Sequence, residues 1–219
     1  MNAETHVAIH FFSEGKTDLG EGVELDTATT GVVPILVRTL CGKPDGMRVR
    51  RRRYAHLEGK GLWQKVRFAK WQARGSSAAA VFVVDSEGDV TVMKKELAEL
   101  ERGRDASGAS LPMAVGVAQP CIEAWLLADP SAIRRGLHLA NQPNTPDEPE
   151  MLPAPCDNPD NNPKTALAAA CGSPKGDLAA RQKWAITAAM DDMAAVRNRC
   201  PQGFDPFADE VEEHIRPLF

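Results

Sequence analysis

Short runs of small and β-branched apolar residues recur along this chain, separated by longer stretches with the spacing of amphipathic helices. The clearest run spans residues 78–84 and is too short for a long helix, so it predicts a strand buried on both faces. Runs at residues 7–12 and 113–118 predict two more strands. Because helical stretches lie between these strands, the pattern predicts an α/β fold with a central, mostly parallel sheet flanked by helices.

Apolar residues at helical spacing predict the helices that flank this sheet. The stretches at residues 32–40, 62–74 and 91–102 each place apolar side chains on one face. Residues 19–30 show no periodicity and are predicted to form a loop, so no helix is expected close behind the first strand. A place in the core, rather than a role in base stacking, is expected for the aromatic residues of the second stretch, which are Trp63, Phe68 and Trp71.

The composition of the chain changes after residue 140. Residues 141–163 hold seven prolines and five acidic residues, so they form a wrapping loop, a lid or a disordered segment rather than a helix. Helical patterns resume beyond them, including one predicted helix from residue 177 to about residue 198. We therefore divide the chain into an α/β domain at residues 1–140, the proline-rich loop and a helical extension at residues 164–219 that packs on the domain.

Composition and charge are typical of a soluble globular protein. Charged residues make up 26% of the 219 residues, and the net charge is −4. No apolar run reaches the roughly 18 residues of a membrane span, and the first residues lack the apolar stretch of a signal peptide. The five cysteines form no C-x-x-C pair, which argues against a disulfide framework or a zinc cluster. These features predict a reduced, cytoplasmic protein without a membrane partner.

Carboxylates follow the predicted strands at the points where the strands end. Asp85, Glu87 and Asp89 come after the central apolar run, and Glu14 follows the first strand. Glu123 stands in the first turn of a predicted helix behind the third strand. Open α/β sheets bind ligands at the carboxyl ends of their strands, and like charges gathered there favour a divalent cation such as Mg²⁺ or Mn²⁺. The alternatives are an ordinary acidic turn and, for Glu123, pairing with the helix dipole.

Positive charge is concentrated between residues 43 and 74, where 11 Lys or Arg residues are accompanied by only two acidic residues. Since the protein as a whole is acidic, this surplus predicts a surface for a polyanion, most simply the phosphates of a nucleic acid. A solvated, salt-bridged face is the alternative. The residues that we assign to nucleic-acid binding are Lys16, Arg50, Arg51, Arg52 and Arg53.

The order of the acidic strand ends resembles the TOPRIM domain, which topoisomerases, bacterial primases, OLD-type nucleases and small stand-alone nucleases share. The matching segments are Phe11-Phe-Ser-Glu14-Gly15-Lys-Thr-Asp18 and Phe82-Val-Val-Asp85-Ser-Glu87-Gly-Asp89. Two later segments resemble a subgroup of small stand-alone TOPRIM proteins, many of them catalogued only as a domain of unknown function, with relatives in bacterial anti-phage systems. These segments are Glu123-Ala-Trp125-Leu-Leu-Ala-Asp129 and Pro163-Lys164. The resemblance covers roughly residues 6–170 and implies a Rossmann-like TOPRIM fold.

The resemblance also implies roles for the carboxylates. In the TOPRIM family the first Glu is a general acid or base and an Asp-x-Asp pair holds Mg²⁺. Carried over, Glu14 takes the proton-transfer role, and Asp85 and Glu87 take the metal role. Glu87 stands where the family has Asp, and Asp89 is the candidate to substitute for it. The loop predicted behind Glu14 is a second departure, because in the family a helix follows Glu-Gly closely.

These assignments predict a metal-dependent nuclease that hydrolyses phosphodiester bonds in DNA or RNA. Glu14 would act as general base or hold a second ion, and Glu123 would complete a two-metal cluster. Lys164 would stabilise charge that develops on the phosphate, the alternative being an exposed lysine at a helix start. The relatives in anti-phage systems imply an effector role in antiviral defence. The alternative function is a non-catalytic binding or regulatory subunit that partners a separately encoded ATPase, since this chain has no P-loop motif.

Overall fold

A mostly parallel sheet forms the centre of the computed structural model, which describes residues 6–20, 26–27, 30–106, 108, 110–173 and 177–219. Within these residues the sheet has five strands in the order β2-β3-β1-β4-β5, and β2 alone is antiparallel to its neighbour. The predicted α/β class and parallel sheet are thus confirmed. The strands are β1 (Val7–Ser13), β2 (Asp26–Thr27), β3 (Met47–Arg53), β4 (Ala79–Asp85) and β5 (Met113–Ala118).

Burial explains why the three predicted strands have apolar sequences. Every residue of β4 before Asp85 is buried, and so is all of β5, which is why neither strand alternates with polar residues. β1 divides its side chains between the two faces, with Phe11 in the core on one side and Phe12 in the core on the other.

Helices cover both faces of the sheet. On the face of Phe12 lie α3 (Leu62–Ala73) and α4 (Val90–Asp105). None of the described helices is both long enough and apolar enough to cross a bilayer. The helices that contribute to the core on the opposite face are α1 (Lys16–Leu19), α2 (Val32–Leu40), α5 (Glu123–Leu127), α6 (Pro130–Gly136), α7 (Pro163–Ala170), α8 (Ala180–Ala189), α9 (Met193–Arg199) and α10 (Phe204–His214).

The C-terminal helices complete the core of the sheet rather than forming a separate one. Phe207 of α10 stacks on Trp125 of α5, with ring centroids 5.4 Å apart. A Cβ atom added to Gly116 of β5 would lie only 2.5 Å from the Phe207 ring, so glycine is what lets α10 approach the strand. The helical extension therefore packs directly on the strands.

Two predicted elements are wrong in their extent. The single helix predicted from residue 177 to about residue 198 is broken into α8 and α9, because Asp192 accepts a hydrogen bond from the Ala195 N–H (3.0 Å) and starts a new helix there. A helix also follows Glu14-Gly15 immediately, since α1 begins at Lys16, and β2 occupies part of the predicted loop. The rest of that loop lies largely outside the described residues.

The proline-rich stretch at residues 141–163 is a wrapping loop. A short 3₁₀ turn, Pro149–Met151, carries Glu150 into a buried position. The Glu150 carboxylate accepts hydrogen bonds from three backbone N–H groups at the start of α10, at 2.7, 2.9 and 3.2 Å. Those amides have no partner inside the helix, so Glu150 both satisfies them and fixes the loop to the C-terminal helix.

Candidate active site

The topology of the sheet creates a crevice between β1 and β4. From β1 the chain moves outward to β3 on one side and then returns to β4 on the other, so the two neighbouring strands β1 and β4 lead in opposite directions. Such a switch point leaves an opening at the carboxyl ends of its strands. Glu14 directly follows β1, and Asp85 is the last residue of β4.

Four carboxylates lie close enough in this crevice to influence one another electrostatically, and the other three all act on Asp85. Burial and the charges of its neighbours raise the pKa of Asp85 well above its usual value. The Asp85 Oδ1 atom accepts a hydrogen bond from the Ile122 N–H (3.0 Å) just before α5, which fixes the carboxylate in place. The neighbours whose charge raises the pKa are, in order of effect, Asp18, Glu123 and Glu14. We refer to these four side chains as the carboxylate cluster.

Glu14 is held from two sides by residues of the β3 segment. The Tyr54 hydroxyl donates to Glu14 Oε1 (2.8 Å), and Arg53 Nε donates to the Glu14 backbone carbonyl (3.0 Å). Burial raises the pKa of Glu14, and the Tyr54 hydrogen bond opposes this shift while the charge of Glu87 adds to it. Glu14 is thus oriented by a phenol and has an increased proton affinity.

Asp18 joins the cluster although it was not among the predicted site residues. Its Oδ2 atom accepts hydrogen bonds from the Ser13 hydroxyl and the Gly15 N–H, both at 3.2 Å. Burial, followed by the charge of Glu123, raises the pKa of Asp18 to about 6. The spacing between Glu14 and Asp18 could have indicated this position. When a helix follows Gly15, a residue four positions after Glu14 lies on the same side of the chain as Glu14.

Glu123 forms a buried ion pair with a lysine from α8. Lys183 Nζ lies 2.7 Å from Glu123 Oε1 and 2.8 Å from Asp177 Oδ1, and the Glu123 and Lys183 side chains are each only 4% exposed. In the described part of the chain, the buried Glu123 Oε2 atom has no hydrogen-bond partner. Lys183 was not predicted, since 60 residues separate it from Glu123 and no motif connects the two.

Lys164 lies beside the cluster, at the start of α7. Asn162 caps this helix by accepting the backbone N–H groups of Lys164 (2.9 Å) and Thr165 (3.2 Å). Burial alone would lower the pKa of Lys164, but the nearby acidic groups, Glu123 first among them, outweigh it and raise the pKa. The ammonium group therefore stays protonated next to the carboxylates.

The remaining predicted metal ligands have different surroundings. Glu87 is exposed, adopts a left-handed backbone conformation (φ 47°) and contributes with Glu14 to a second acidic group. That group includes Glu96 of α4, whose pKa is raised to about 7 by burial and by these two charges. Asp89 instead caps α4, where its Oδ1 atom accepts the Thr91 N–H (2.8 Å) and the Val92 N–H (3.0 Å). Its position therefore gives no support to a metal role.

Alternation along β3 sends the arginine run to opposite faces of the sheet. Arg50 and Arg52 lie on the face of His10, where burial and their two charges lower the pKa of His10 to about 4. Arg51 lies on the other face and donates to the Leu19 carbonyl (2.6 Å) and the Thr30 hydroxyl (3.3 Å). Arg51 and Arg53 thus support the loop and strand ends of the crevice, while Lys16 is exposed at its rim.

The donor atoms of the cluster suit a hard cation. Among the residues that the structure describes, no group of three or more His, Cys, Asp or Glu side chains is placed to hold a metal ion. Mg²⁺ does not require one, because it usually keeps several waters and takes one or two carboxylates together with substrate phosphate. The unpaired Glu123 Oε2 and the neighbouring Asp85 offer that kind of partial, oxygen-only coordination.

Substituting Asp18→Asn should stabilise the metal-free protein above pH 6. The pKa of Asp18 is raised from 3.8 to about 6, so its contribution to folding is most favourable below pH 4 and is lost as the pH rises through 6. We expect a gain of roughly 1–3 kcal/mol in the free energy of unfolding at pH 8, measured by urea denaturation. The exposed Asp147→Asn variant should leave the pH dependence unchanged. If the free energy of unfolding of wild type and Asp18→Asn had the same pH dependence, repulsion between Asp18 and the neighbouring carboxylates would be contradicted.

The fold and this acidic crevice define an α/β protein with a candidate metal centre at the switch point of its sheet. Residues 25–212 match the family described as a domain of unknown function, DUF4276, and the chain belongs to that family. No curated protein and no solved structure matches the chain.

Proposed function

We propose that this protein is a metal-dependent phosphodiesterase that cleaves nucleic acid. The observation that supports this best is the buried Glu123 carboxylate, which keeps one oxygen without a partner beside the strongly repelled Asp85. Such a concentration of negative charge is costly unless cations offset it. Lys183 and Lys164 offset part of it, and a divalent cation held by Asp85 and Glu123 would offset the rest.

Each residue of the crevice has its own role in the proposed reaction. When bound, Mg²⁺ or Mn²⁺ would neutralise a phosphate oxygen and lower the pKa of a water molecule. Glu14 is the candidate general base, because its raised pKa increases its affinity for the proton of that water and Tyr54 holds it in one orientation. Lys164 would meet the charge that grows on the phosphate or the leaving group.

Several features outside the cluster agree with a nucleic-acid substrate. Lys16 is exposed at the rim of the crevice, and Arg50 and Arg52 are half-buried on β3, on the face of the sheet that carries His10. The order of Glu14 and Asp85 at neighbouring strand ends supports the TOPRIM resemblance and, with it, an effector role in anti-phage defence. All five cysteines are free thiols, which supports a reducing, cytoplasmic location.

The isolated chain should cleave nucleic acid only when a divalent cation is present. Single-stranded DNA, duplex DNA and single-stranded RNA are incubated with Mg²⁺, Mn²⁺ or EDTA, and the products are separated by electrophoresis. Added Mg²⁺ should also raise the melting temperature, by mass action on the folded state. Failure to cleave any of the three substrates with either metal would overturn the proposal and favour a non-catalytic subunit of a larger assembly.

A further inference from the structure

An open cavity of about 500 Å³ runs along the outer side of α3, away from the carboxylate cluster. The expectation that the aromatic residues of this helix lie in the core holds only for Phe68, which packs against the core from a half-buried position. It is wrong for Trp71, which is 53% exposed, and for Trp63, which is half-buried outside the core clusters. The side of α3 that does pack in the core carries small residues instead. The cavity is lined by Glu58, Gly59, Trp63, Gln64, Arg67, Phe68 and Trp71.

The aromatic side chains in this cavity form a continuous stripe with arginine. Trp63, Arg67 and Trp71 are four residues apart, so they lie one above another on the helix. Phe68 widens the stripe, with its ring centroid 5.8 Å from that of Trp71. The guanidinium of Arg102 from α4 stands 4.5 Å above the Trp63 ring. Aromatic rings and arginine side chains therefore lie side by side on a surface that solvent can reach.

The charge around the stripe is positive. α3 contains Lys65, Arg67 and Lys70 and no acidic residue, and Arg74 follows at its C-terminal end. Glu58 is the one acidic residue that lines the cavity. Cations beside exposed aromatic faces complement a ligand that has both phosphates and flat rings.

The side of α3 that faces away from the stripe approaches the carboxylate cluster. Lys65 Nζ lies 4.9 Å from the centre of the Tyr54 ring, and the Tyr54 hydroxyl donates to Glu14. At 3.6 residues per turn, Lys65 projects from the side of α3 away from Trp63 and Arg67, so the stripe is a surface separate from the crevice. Only a flexible single strand can lay its bases on the stripe, since the faces of the bases in a rigid duplex are stacked inside the helix.

We propose that the stripe of Trp63, Arg67 and Trp71 binds unpaired bases of single-stranded nucleic acid. This inference rests on the proposed nucleic-acid substrate but not on catalysis. Base stacking on an aromatic side chain tolerates any sequence, so the stripe would select for single strands rather than for a base order.

The test measures binding without cleavage. Fluorescein-labelled oligothymidine and the same strand paired with oligoadenine are titrated in EDTA, and anisotropy gives the affinities. Trp71→Ala and Arg67→Ala should each weaken single-strand binding by about tenfold, and Trp71→Phe should restore most of it. The matched controls lie on other parts of the surface: Arg134→Ala on α6 removes the same charge as Arg67→Ala, and Phe219→Ala removes another exposed ring. Both controls should bind as the wild type does.

Three results would overturn the inference. The first is equal single-strand affinity of wild type and Trp71→Ala. The second is a loss of affinity in Arg134→Ala as large as that in Arg67→Ala. The third is a wild-type dimer, seen in sedimentation, that Trp71→Ala dissociates, because it would assign the stripe to contacts between copies of the chain. Because EDTA removes any metal-dependent step, normal binding in a protein that cleaves nothing would refute only the proposed catalysis. Cleavage with no effect of Trp71→Ala on binding would refute only the stripe.

Discussion

Asp85→Asn should abolish metal-dependent cleavage, with turnover falling by at least about a thousandfold. The asparagine keeps the shape of the side chain and can still accept the hydrogen bond from the Ile122 N–H, but it lacks the negative charge that a cation requires. The measurement is the single-turnover rate at saturating Mg²⁺, together with calorimetric titration of Mg²⁺ into the substrate-free protein. We expect both the rate and the heat of binding to disappear.

Two observations keep this result distinct from simple unfolding. The substitution removes a strongly repelled charge, so the metal-free variant should melt at a higher temperature than the wild type above pH 7. Asp89→Asn makes the same chemical change four residues away, where asparagine caps a helix about as well as aspartate. Asp89→Asn should therefore keep both activity and stability. Normal cleavage by Asp85→Asn, or an equal loss of cleavage in Asp89→Asn, would contradict a metal centre in the crevice.

Lys183→Met should destabilise the protein by about 3–5 kcal/mol. Methionine fills most of the volume of the lysine side chain but leaves Glu123 buried without its ammonium partner, and Asp177 loses a contact as well. Urea denaturation at pH 7.5 gives the free energy of unfolding. Lys164→Met is the matched comparison, and its cost should be smaller because Lys164 is only half-buried and neutralises the cluster without a short contact to it.

A double substitution separates the loss of the pair from the loss of packing. Adding Glu123→Gln to Lys183→Met removes the buried Glu123 charge that has lost its partner, so the double variant should be more stable than Lys183→Met alone. The coupling energy from this cycle should exceed about 1 kcal/mol, as for residues in direct contact within one ion-pair network. Additive effects within about 0.5 kcal/mol would show that Glu123 and Lys183 do not depend on each other in solution.

Burial on both faces is what made part of the fold predictable. β4 and β5 lie inside the molecule, so their sequences are unbroken apolar runs with sharp ends, and Asp85 could be placed at a strand end with no further information. The helix predicted at residues 32–40 coincides with α2, which buries nearly all of its side chains. Glu14 was located in the same way, from the apolar run before it.

Other residues depend on packing that the local pattern does not record. Lys183 pairs with Glu123 only because α8 packs near α5, and a lysine in a helix is otherwise typical of an exposed surface.

The aromatic residues of α3 show why helical spacing alone misleads. Trp63 and Trp71 share a stripe, but the face in contact with the sheet is the narrower one of Val66, Ala69 and Ala73. Gly103 of α4 explains this choice, since a Cβ there would lie 2.4 Å from the Trp63 carbonyl.

The origin of the two ammonium groups at the carboxylate cluster limits how this protein can be divided. Lys164 and Lys183 both come from residues beyond the proline-rich loop, whereas the four carboxylates come from residues 14–123. The part of the chain before the proline-rich loop and the helices after it thus supply opposite halves of one charge balance. An excised fragment that ended before residue 163 would keep the acids and lose these cations, and it would also lose Phe207 from the core. The smallest unit that can hold a working crevice therefore extends through the C-terminal helices, and recombination with other domains must carry the whole of it.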